Sequence, residues 1–177
     1  MVSVMSDYVS PAPMALGAVR RISSVEEAEG VSAFLLQEGL FGTPPTPGER
    51  ELFRNHPAQA VGDAFDSYWQ VVDAQGAVCG VIGVRRQAMG TGLYEVTAFA
   101  VSSTVRGRGI GHHLLERTLN HVSEVGGRGL LVDTSAAPSY APMRHLLEEL
   151  GFDPVGRFPD FYYPGEDALW YYHPIAR

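Results

Sequence analysis

Residues 101–115 read VSSTVRGRGIGHHLL, and this stretch joins a strand-like run to a helix-like run. Three glycines and two arginines lie at the junction. The first N–H groups of a helix have no partner within the helix, and its dipole adds partial positive charge there. Glycines let such a backbone close around an anion. The stretch therefore predicts a pyrophosphate site at a helix start, and the alternative is an exposed turn with two solvated arginines.

The stretch differs from two common nucleotide-binding patterns. No Lys–Ser/Thr pair follows the glycines, as a Walker loop would require. The glycine spacing also departs from G-x-G-x-x-G, and the helix follows a late strand instead of opening the domain. Neither pattern explains these glycines.

Composition narrows the class of protein. A chain of 177 residues with 45% hydrophobic and 19% charged residues suits one globular domain. The net charge of −7 argues against a nucleic-acid binder and is compatible with a cationic small-molecule substrate. Cys79 is the single cysteine, which excludes an intrachain disulfide.

The termini and the apolar runs bear on location. Residues 1–15 include Pro11 and Pro13 and are predicted to form a mobile tail, with the domain proper over 16–177. The start lacks the basic and apolar regions of a secretory signal, and no apolar run approaches the length of a membrane span. We expect a cytoplasmic protein without membrane contact.

Hydrophobic periodicity and turn residues predict the order β-α-α-β-β-β-α-β-α-β-β, which is a mixed α/β single domain. The predicted strands cover 18–22, 67–73, 77–86, 93–101 and 129–134, followed by two final strands around a loop at 159–167. The predicted helices run from Ser24 to near Gly39, from Pro47 toward Asn55, over 109–125, and through the apolar positions between Met143 and Leu150.

Two segments carry a family resemblance. Arg106-x-x-Gly109-x-Gly111, between a strand ending at Val101 and an amphipathic helix, resembles the Q/R-x-x-G-x-G/A acetyl-CoA motif of the GNAT acetyltransferases. The segment YAPMRHLLEELGFDPVGRFPDFY (140–162) resembles that family's last helix and its LGF exit. The resemblance covers about residues 18–173. It implies a mostly antiparallel sheet flanked by helices, with a splayed central strand pair.

The resemblance also implies where acetyl-CoA, the co-substrate, would bind. The helix start would hold the pyrophosphate, and pantetheine would lie between strands 93–101 and 129–134 against free backbone groups of Phe99 and Val101. For His112 the alternative is a solvated helix residue. The implied CoA-binding residues are Phe99, Ala100, Val101, Arg106, Gly107, Arg108, Gly109, Ile110, Gly111 and His112.

Acetyl transfer to an amine requires loss of a proton, because a primary ammonium with a pKa of about 10 is not a nucleophile at neutral pH. Glu95 lies six residues before Val101 on the same strand. That position resembles the catalytic glutamate of the histone-acetyltransferase branch, which makes Glu95 the candidate base. The alternative is a solvent-facing strand carboxylate.

The candidate general acid departs from the family pattern. Many members have a tyrosine where this chain has Leu147, which cannot donate a proton. Tyr140 lies where relatives often have an asparagine that contacts CoA, and we predict a CoA contact for it, with acid catalysis as the alternative. Tyr162 and Tyr163 are predicted to border the substrate pocket or, alternatively, to pack between the last two strands.

Six histidines show no H-x-x-x-H or H-E-x-x-H spacing and no cysteine cluster supports them, so no metal is expected. The sequence thus favours an N-acetyltransferase acting on a small metabolite or amino-acid-like amine by direct attack in a ternary complex. Acetylation of a protein N-terminus or lysine, and a non-catalytic acyl-CoA binding module, are the alternatives. A homodimer is left open.

Overall fold

A seven-stranded sheet organises the chain in this computed structural model, which describes residues 16–176. The strands are β1 (Arg20–Arg21), β2 (Ser67–Val72), β3 (Val78–Arg86), β4 (Leu93–Val101), β5 (Gly129–Ser135), β6 (Asp153–Tyr163) and β7 (Glu166–Pro174). The helices are α1 (Val25–Leu35), α2 (Pro47–Gln59), α3 (Ile110–Glu124) and α4 (Ala141–Glu149). The predicted element order and mixed α/β class are confirmed. The tail predicted over 1–15 lies outside the described residues.

The sheet order is β1-β2-β3-β4-β5-β7-β6, and its pairs are antiparallel except for β4 with β5. Apolar residues of α1 and α2, including Val31 and Phe53, pack with one face of the sheet. Leu114 and Leu115 of α3 and Leu147 of α4 pack with the other face. Helices therefore cover both faces, and the central strands are buried between two apolar clusters.

The parallel pair β4–β5 is short. Its ladder joins Leu93–Glu95 to residues 129–131, and no pairing continues beyond Glu95 in the described chain. Thr97 is an extra residue in β4, because Val96 and Ala98 pair with the adjacent residues Val84 and Gly83. Such a bulge bends a strand and increases its twist. The predicted splay of the central strands is confirmed.

The start of α2 is fixed by its first residues. The Thr46 hydroxyl accepts a hydrogen bond from the Glu49 N–H at 3.2 Å, and the Glu49 carboxylate accepts one from the Thr46 N–H at 2.7 Å. Pro47 occupies the first turn, where its missing N–H costs nothing. The helix continues to Gln59, beyond the predicted limit near Asn55.

Two further boundaries differ from the prediction. Helix α1 ends at Leu35, before the predicted limit near Gly39. Strand β6 runs to Tyr163, so the predicted loop at 159–167 shrinks to a tight turn. The Asp160 carboxylate closes this turn by accepting the Gly165 N–H at 2.6 Å. The pairing with β7 shifts register between Phe158 and Tyr163, which bends β6 over the sheet.

Within residues 16–176, no helix has both the length and the apolar character needed to cross a bilayer.

Candidate active site

A cavity of about 530 Å³ opens where β4 and β5 diverge. Its two long walls are residues 96–101 of β4 and residues 132–135 of β5. The loop before α3, the α1–α2 connection (residues 36–46), the start of α4 and the β6–β7 turn complete its lining. The bulge at Thr97 therefore creates the cavity, because it turns β4 away from its parallel neighbour.

The glycine-rich stretch forms one end of this cavity. Gly109 is the N-cap of α3 with φ 78°, and Gly107 has φ 74°, both in the left-handed region that favours glycine. No side chain of the described residues caps α3, so its first N–H groups are left for a ligand. Gly107, Gly109, Ile110 and Gly111 all line the cavity. This geometry suits an anion such as a pyrophosphate.

The predicted CoA set also contains Arg106, Arg108 and His112, and these three residues differ in their position relative to the cavity. Arg106 lines the cavity, but its guanidinium donates to the Val101 carbonyl at 3.0 Å and to the Leu40 carbonyl at 3.3 Å. Arg108 and His112 are not among the lining residues. His112 instead contacts the Glu116 carboxylate at 3.2 Å along α3. The CoA contacts of Arg108 and His112 stay predictions.

The slot between the strands fits an extended amide chain. Phe99, Ala100 and Val101 line it on the β4 side, where no ladder to β5 occupies the strand edge. An extended ligand can pair with such a free edge through main-chain hydrogen bonds. The residues predicted to contact pantetheine are thus brought to the cavity wall.

Glu95 lies outside this wall. Its side chain is ion-paired with Arg85 of β3 and accepts a hydrogen bond from the Gln87 amide. The residue is 9% exposed and is not among those lining the cavity. It therefore neither lines the cavity wall nor faces solvent, and its role as the base stays a prediction.

Asp133 and Tyr162 form a polar pair on the wall that the sequence did not reveal. The Tyr162 hydroxyl donates to the Asp133 Oδ2 at 2.6 Å, and both residues line the cavity. Burial raises the pKa of the Asp133 carboxyl. Burial and the adjacent carboxylate raise the pKa of Tyr162, which keeps its proton on the hydroxyl. A carboxylate within the apolar strand GLLVDT was the available sequence signal.

A second polar group ties the α1–α2 connection across the cavity. The Tyr140 hydroxyl contacts the Thr43 hydroxyl at 3.2 Å and accepts its N–H at 3.3 Å. The Thr43 hydroxyl donates to the Glu166 carboxylate at 3.0 Å, and the Tyr163 hydroxyl donates to the Pro44 carbonyl at 3.0 Å. Tyr140 thus lines the cavity but directs its hydroxyl to Thr43, and its CoA contact stays a prediction.

The lining from α4 is aliphatic. Leu147 is fully buried in the apolar cluster and is not among the lining residues, while Met143 and Leu146 are. Tyr162 and Tyr163 both border the cavity, as one of the two sequence interpretations held. The α4 wall therefore offers no proton donor near this part of the cavity.

A buried hydrogen-bonded chain leads away from the cavity on the α1–α2 side. Thr97 lines the cavity, and its hydroxyl donates to the Tyr68 hydroxyl at 3.1 Å. Tyr68 contacts His56 Nδ1 at 3.1 Å, and His56 Nε2 contacts the Asp66 carboxylate at 3.2 Å. Burial raises the pKa of Tyr68. Each of these four side chains, from Thr97 to Asp66, has a hydrogen-bond partner within the protein.

Among residues 16–176, no three His, Cys, Asp or Glu side chains cluster in a way that could hold a metal ion.

Comparisons with known proteins agree with this geometry. The family model of the GNAT acetyltransferases matches residues 35–152. A comparison with curated proteins gave no match. A Desulfovibrio desulfuricans protein assigned to the GNAT family superposes with a TM-score of 0.74 at 25% identity, over 92% of this chain and 100% of that one.

Two further structures are similar in fold. The ribosomal-protein-S18-alanine N-acetyltransferase of Escherichia coli has a TM-score of 0.70 at 18% identity, over 90% of this chain and 94% of its own. An aminoglycoside 6'-N-acetyltransferase complexed with coenzyme A has a TM-score of 0.70 at 17% identity, over 91% and 98%. With well over half of its length matched by the family model, the chain belongs to the GNAT family and is an acetyl-CoA-dependent N-acetyltransferase.

Proposed function

We propose that this enzyme acetylates the amine of a small metabolite or amino-acid-like acceptor, by direct attack on acetyl-CoA in a ternary complex. The observation that carries the proposal is the set of hydrogen bonds across the cavity. Thr43 and Pro44 are bonded to Tyr140, Tyr163 and Glu166 on the opposite side. A peptide acceptor needs an extended open groove, and these bonds obstruct one.

The charge of the cavity supports a cationic acceptor. Glu49, Asp133 and Glu166 line it from three different elements. Among the described residues, Arg106 alone brings a cationic side chain to the wall, and its guanidinium is bonded to two carbonyls. A wall with this excess of carboxylates attracts an ammonium group and disfavours an acidic acceptor.

The chain's own groups can hold acetyl-CoA as follows. The N–H groups around Gly107–Gly111 would bind the pyrophosphate, and free backbone groups of Phe99 and Val101 would pair with pantetheine. A backbone N–H of β4 beyond the bulge would polarise the acetyl carbonyl. All of these groups are backbone groups. They are available because a free strand edge and a helix start leave backbone groups without internal partners.

The transfer then needs little further help. The deprotonated amine attacks the acetyl carbonyl carbon, the C–N bond forms, and the C–S bond breaks as the thiolate leaves. A thiol with a pKa of about 8.5 is a tolerable leaving group without a dedicated acid. The aliphatic lining at Met143 and Leu146 is consistent with this.

The fold alone does not choose the acceptor, because the structurally similar proteins include an enzyme named for a ribosomal protein and one named for aminoglycosides. A protein N-terminus or lysine is the second candidate, and a binding module without turnover is the third. The α1–α2 connection distinguishes the first two, because it is the segment that closes the cavity.

The test is thiol release from acetyl-CoA with a set of amines. The set contains an alkyl diamine, an aromatic ethylamine, an amino-acid amide, an aminoglycoside, and a peptide with a free N-terminal alanine. We expect turnover with at least one small amine. Turnover with the peptide alone would refute the small-molecule assignment, and tight acetyl-CoA binding without turnover would favour the binding module.

A further inference from the structure

We propose that Asp133 receives the acceptor's ammonium group and removes its proton before attack, and that Tyr162 positions the Asp133 carboxylate for this step. The inference rests on the proposed function, because it requires an amine acceptor in this cavity.

The position of Asp133 follows from the strand geometry. The β4–β5 ladder ends at the pair Glu95–Leu131, and Asp133 lies two residues further along β5. Its side chain is therefore on the same face of β5 as that of Leu131, and it borders the open part of the slot. An amine that attacks an acetyl group held in this slot has to approach along this wall.

The carboxylate retains capacity for a ligand. Tyr162 fills one acceptor position on Oδ2 with a 2.6 Å hydrogen bond, whereas an ionised carboxylate can accept about four. Tyr162 reaches Asp133 from β6 because that strand bends over the sheet at its register shift. The tyrosine thereby fixes the orientation of the carboxylate and leaves room for an ammonium donor.

The step balances without another reactant. One ammonium N–H proton moves to an oxygen of the Asp133 carboxylate, which becomes a neutral carboxylic acid, and the amine recovers its lone pair. That lone pair forms the C–N bond as the thiolate leaves. The tetrahedral nitrogen loses a second proton to form the amide, and the thiolate accepts one proton from solvent or from that nitrogen.

The surroundings adjust the strength of this base. Burial raises the pKa of Asp133, while the Tyr162 hydrogen bond and the charge of Arg85 on β3 oppose that rise. Glu49 of α2 and Tyr140 before α4 line the cavity and act electrostatically on Tyr162, and Glu166 of β7 lines the same cavity. A base with a pKa closer to the working pH transfers protons more effectively.

Glu95 is the rival base, and the structure separates the two carboxylates. Arg85 and Gln87 hold the Glu95 carboxylate away from the lining of the cavity. Asp133 has a neutral tyrosine as its hydrogen-bond donor instead of a cation. The Asp133 carboxylate is therefore better placed to exchange a proton with an acceptor.

The experiment compares the pH profiles of kcat/KM for the wild type, Asp133→Asn and Glu95→Gln, with every amine that the wild type acetylates. We expect Asp133→Asn to lose about 100-fold or more at pH 7, within the usual range for a general base. The defect should shrink toward about pH 10, because the amine then loses its proton unaided. Glu95→Gln should keep the acidic limb of the profile, that is, the fall of kcat/KM at low pH, whatever its effect on the rate.

Tyr162→Phe supplies a second variant that keeps the carboxylate. Without the tyrosine hydroxyl, the pKa of Asp133 rises further, so the acidic limb should move to higher pH. A purely structural role of Tyr162 would lower the rate without moving the limb. Thermal unfolding and acetyl-CoA affinity of each variant show whether the fold and the CoA site persist.

Three outcomes would overturn the inference. They are an Asp133→Asn defect that stays constant with pH, an acidic limb lost in Glu95→Gln but kept in Asp133→Asn, and an unmoved limb in Tyr162→Phe. Wild-type enzyme that releases no thiol with any amine would instead refute the proposed function. Turnover of a peptide alone would refute only the small-molecule assignment, and the same profiles would still test Asp133.

Discussion

Two tyrosines are hydrogen-bonded to residues that line the same cavity, and their other surroundings differ. On the α1–α2 side, Tyr68 lies between Thr97 and His56, and His56 is in turn bonded to Asp66. On the β6 side, Tyr162 donates to a carboxylate that borders the cavity. Burial raises the pKa of both tyrosines, so both hydroxyls stay protonated.

The difference lies in what the partners face. In the Tyr68 chain each hydrogen-bonding group is satisfied within the protein, so its contribution is to folding stability. In the Tyr162 pair the carboxylate has remaining capacity and borders the space where we propose that an acceptor binds. Polar groups thus stabilise the fold when their partners are internal, and they are available for chemistry when one side is left for a ligand.

The largest expected effect tests whether the cavity that the Tyr68 chain and the Tyr162–Asp133 pair both border is the acetyl-CoA site. Gly109→Asp should reduce acetyl-CoA affinity by 100-fold or more, about 2.7 kcal/mol, because a carboxylate at the helix start repels the pyrophosphate. Calorimetry measures the affinity. Gly109→Asn is the matched control, since asparagine has the same shape without the charge and tolerates φ near 78°. Equal losses in both variants would indicate a backbone effect and not a charge effect.

The second largest effect tests the hydrogen-bonded chain around Tyr68. Tyr68→Phe leaves buried Thr97 and His56 without their shared partner, and the free energy of unfolding should fall by about 1–3 kcal/mol. Denaturant titration measures this change. The pH profile of kcat/KM should keep its acidic limb at the same pH. A displaced limb would mean that the Tyr68 chain takes part in proton transfer, which would remove the distinction between the two regions.

In the Tyr162–Asp133 pair, a substitution should change folding stability in the opposite direction, toward higher stability. The folded-state pKa of Asp133 is raised above the unfolded value of about 3.9, so ionisation destabilises the folded state as pH rises through that window. Asp133→Asn should therefore raise the midpoint of thermal unfolding at pH 7 by a few degrees. The gain should vanish near pH 3, where the carboxyl is protonated in both states. A lower midpoint at pH 7 would indicate that Asp133 stabilises the fold.

The smallest effect concerns Tyr140, which belongs neither to the Tyr68 chain nor to the Tyr162–Asp133 pair. Tyr140→Phe removes the hydrogen bonds to Thr43 and should raise the KM for the acceptor several-fold, with kcat lowered by less than about tenfold. Steady-state kinetics at saturating acetyl-CoA measures both constants. A hundredfold loss in kcat would instead identify Tyr140 as the general acid.

The sequence predicted the features that depend on local patterns. The strand before Val101, the glycines at 107–111 and the helix after them occupy adjacent positions, and their spacing carries the information. The element order followed from periodicity and turn residues for the same reason. The limits of α1, α2 and β6 were missed. For β6 the reason is that its end depends on a hydrogen bond to the Asp160 side chain, which periodicity does not contain.

The candidate site was less predictable because its contacts join distant residues. Tyr162 is 29 residues from Asp133, and Tyr140 is 97 residues from Thr43. Glu95 was an attractive base by position, yet Arg85 on the neighbouring strand engages it. Sequence spacing identifies which side chains are available, but the sheet register and the bend of β6 determine which of them reach the cavity.

The α1–α2 connection has a consequence for how the binding of the two substrates is coupled. Its Leu40 carbonyl accepts a hydrogen bond from the Arg106 side chain beside the helix start, and Thr43 and Pro44 are bonded to Glu166 and Tyr163. A ligand that orders the loop at 106–111 should therefore also order the wall at which we propose that the acceptor binds. Acetyl-CoA should accordingly tighten the binding of the amine, and by reciprocity the amine should tighten the binding of acetyl-CoA by the same factor.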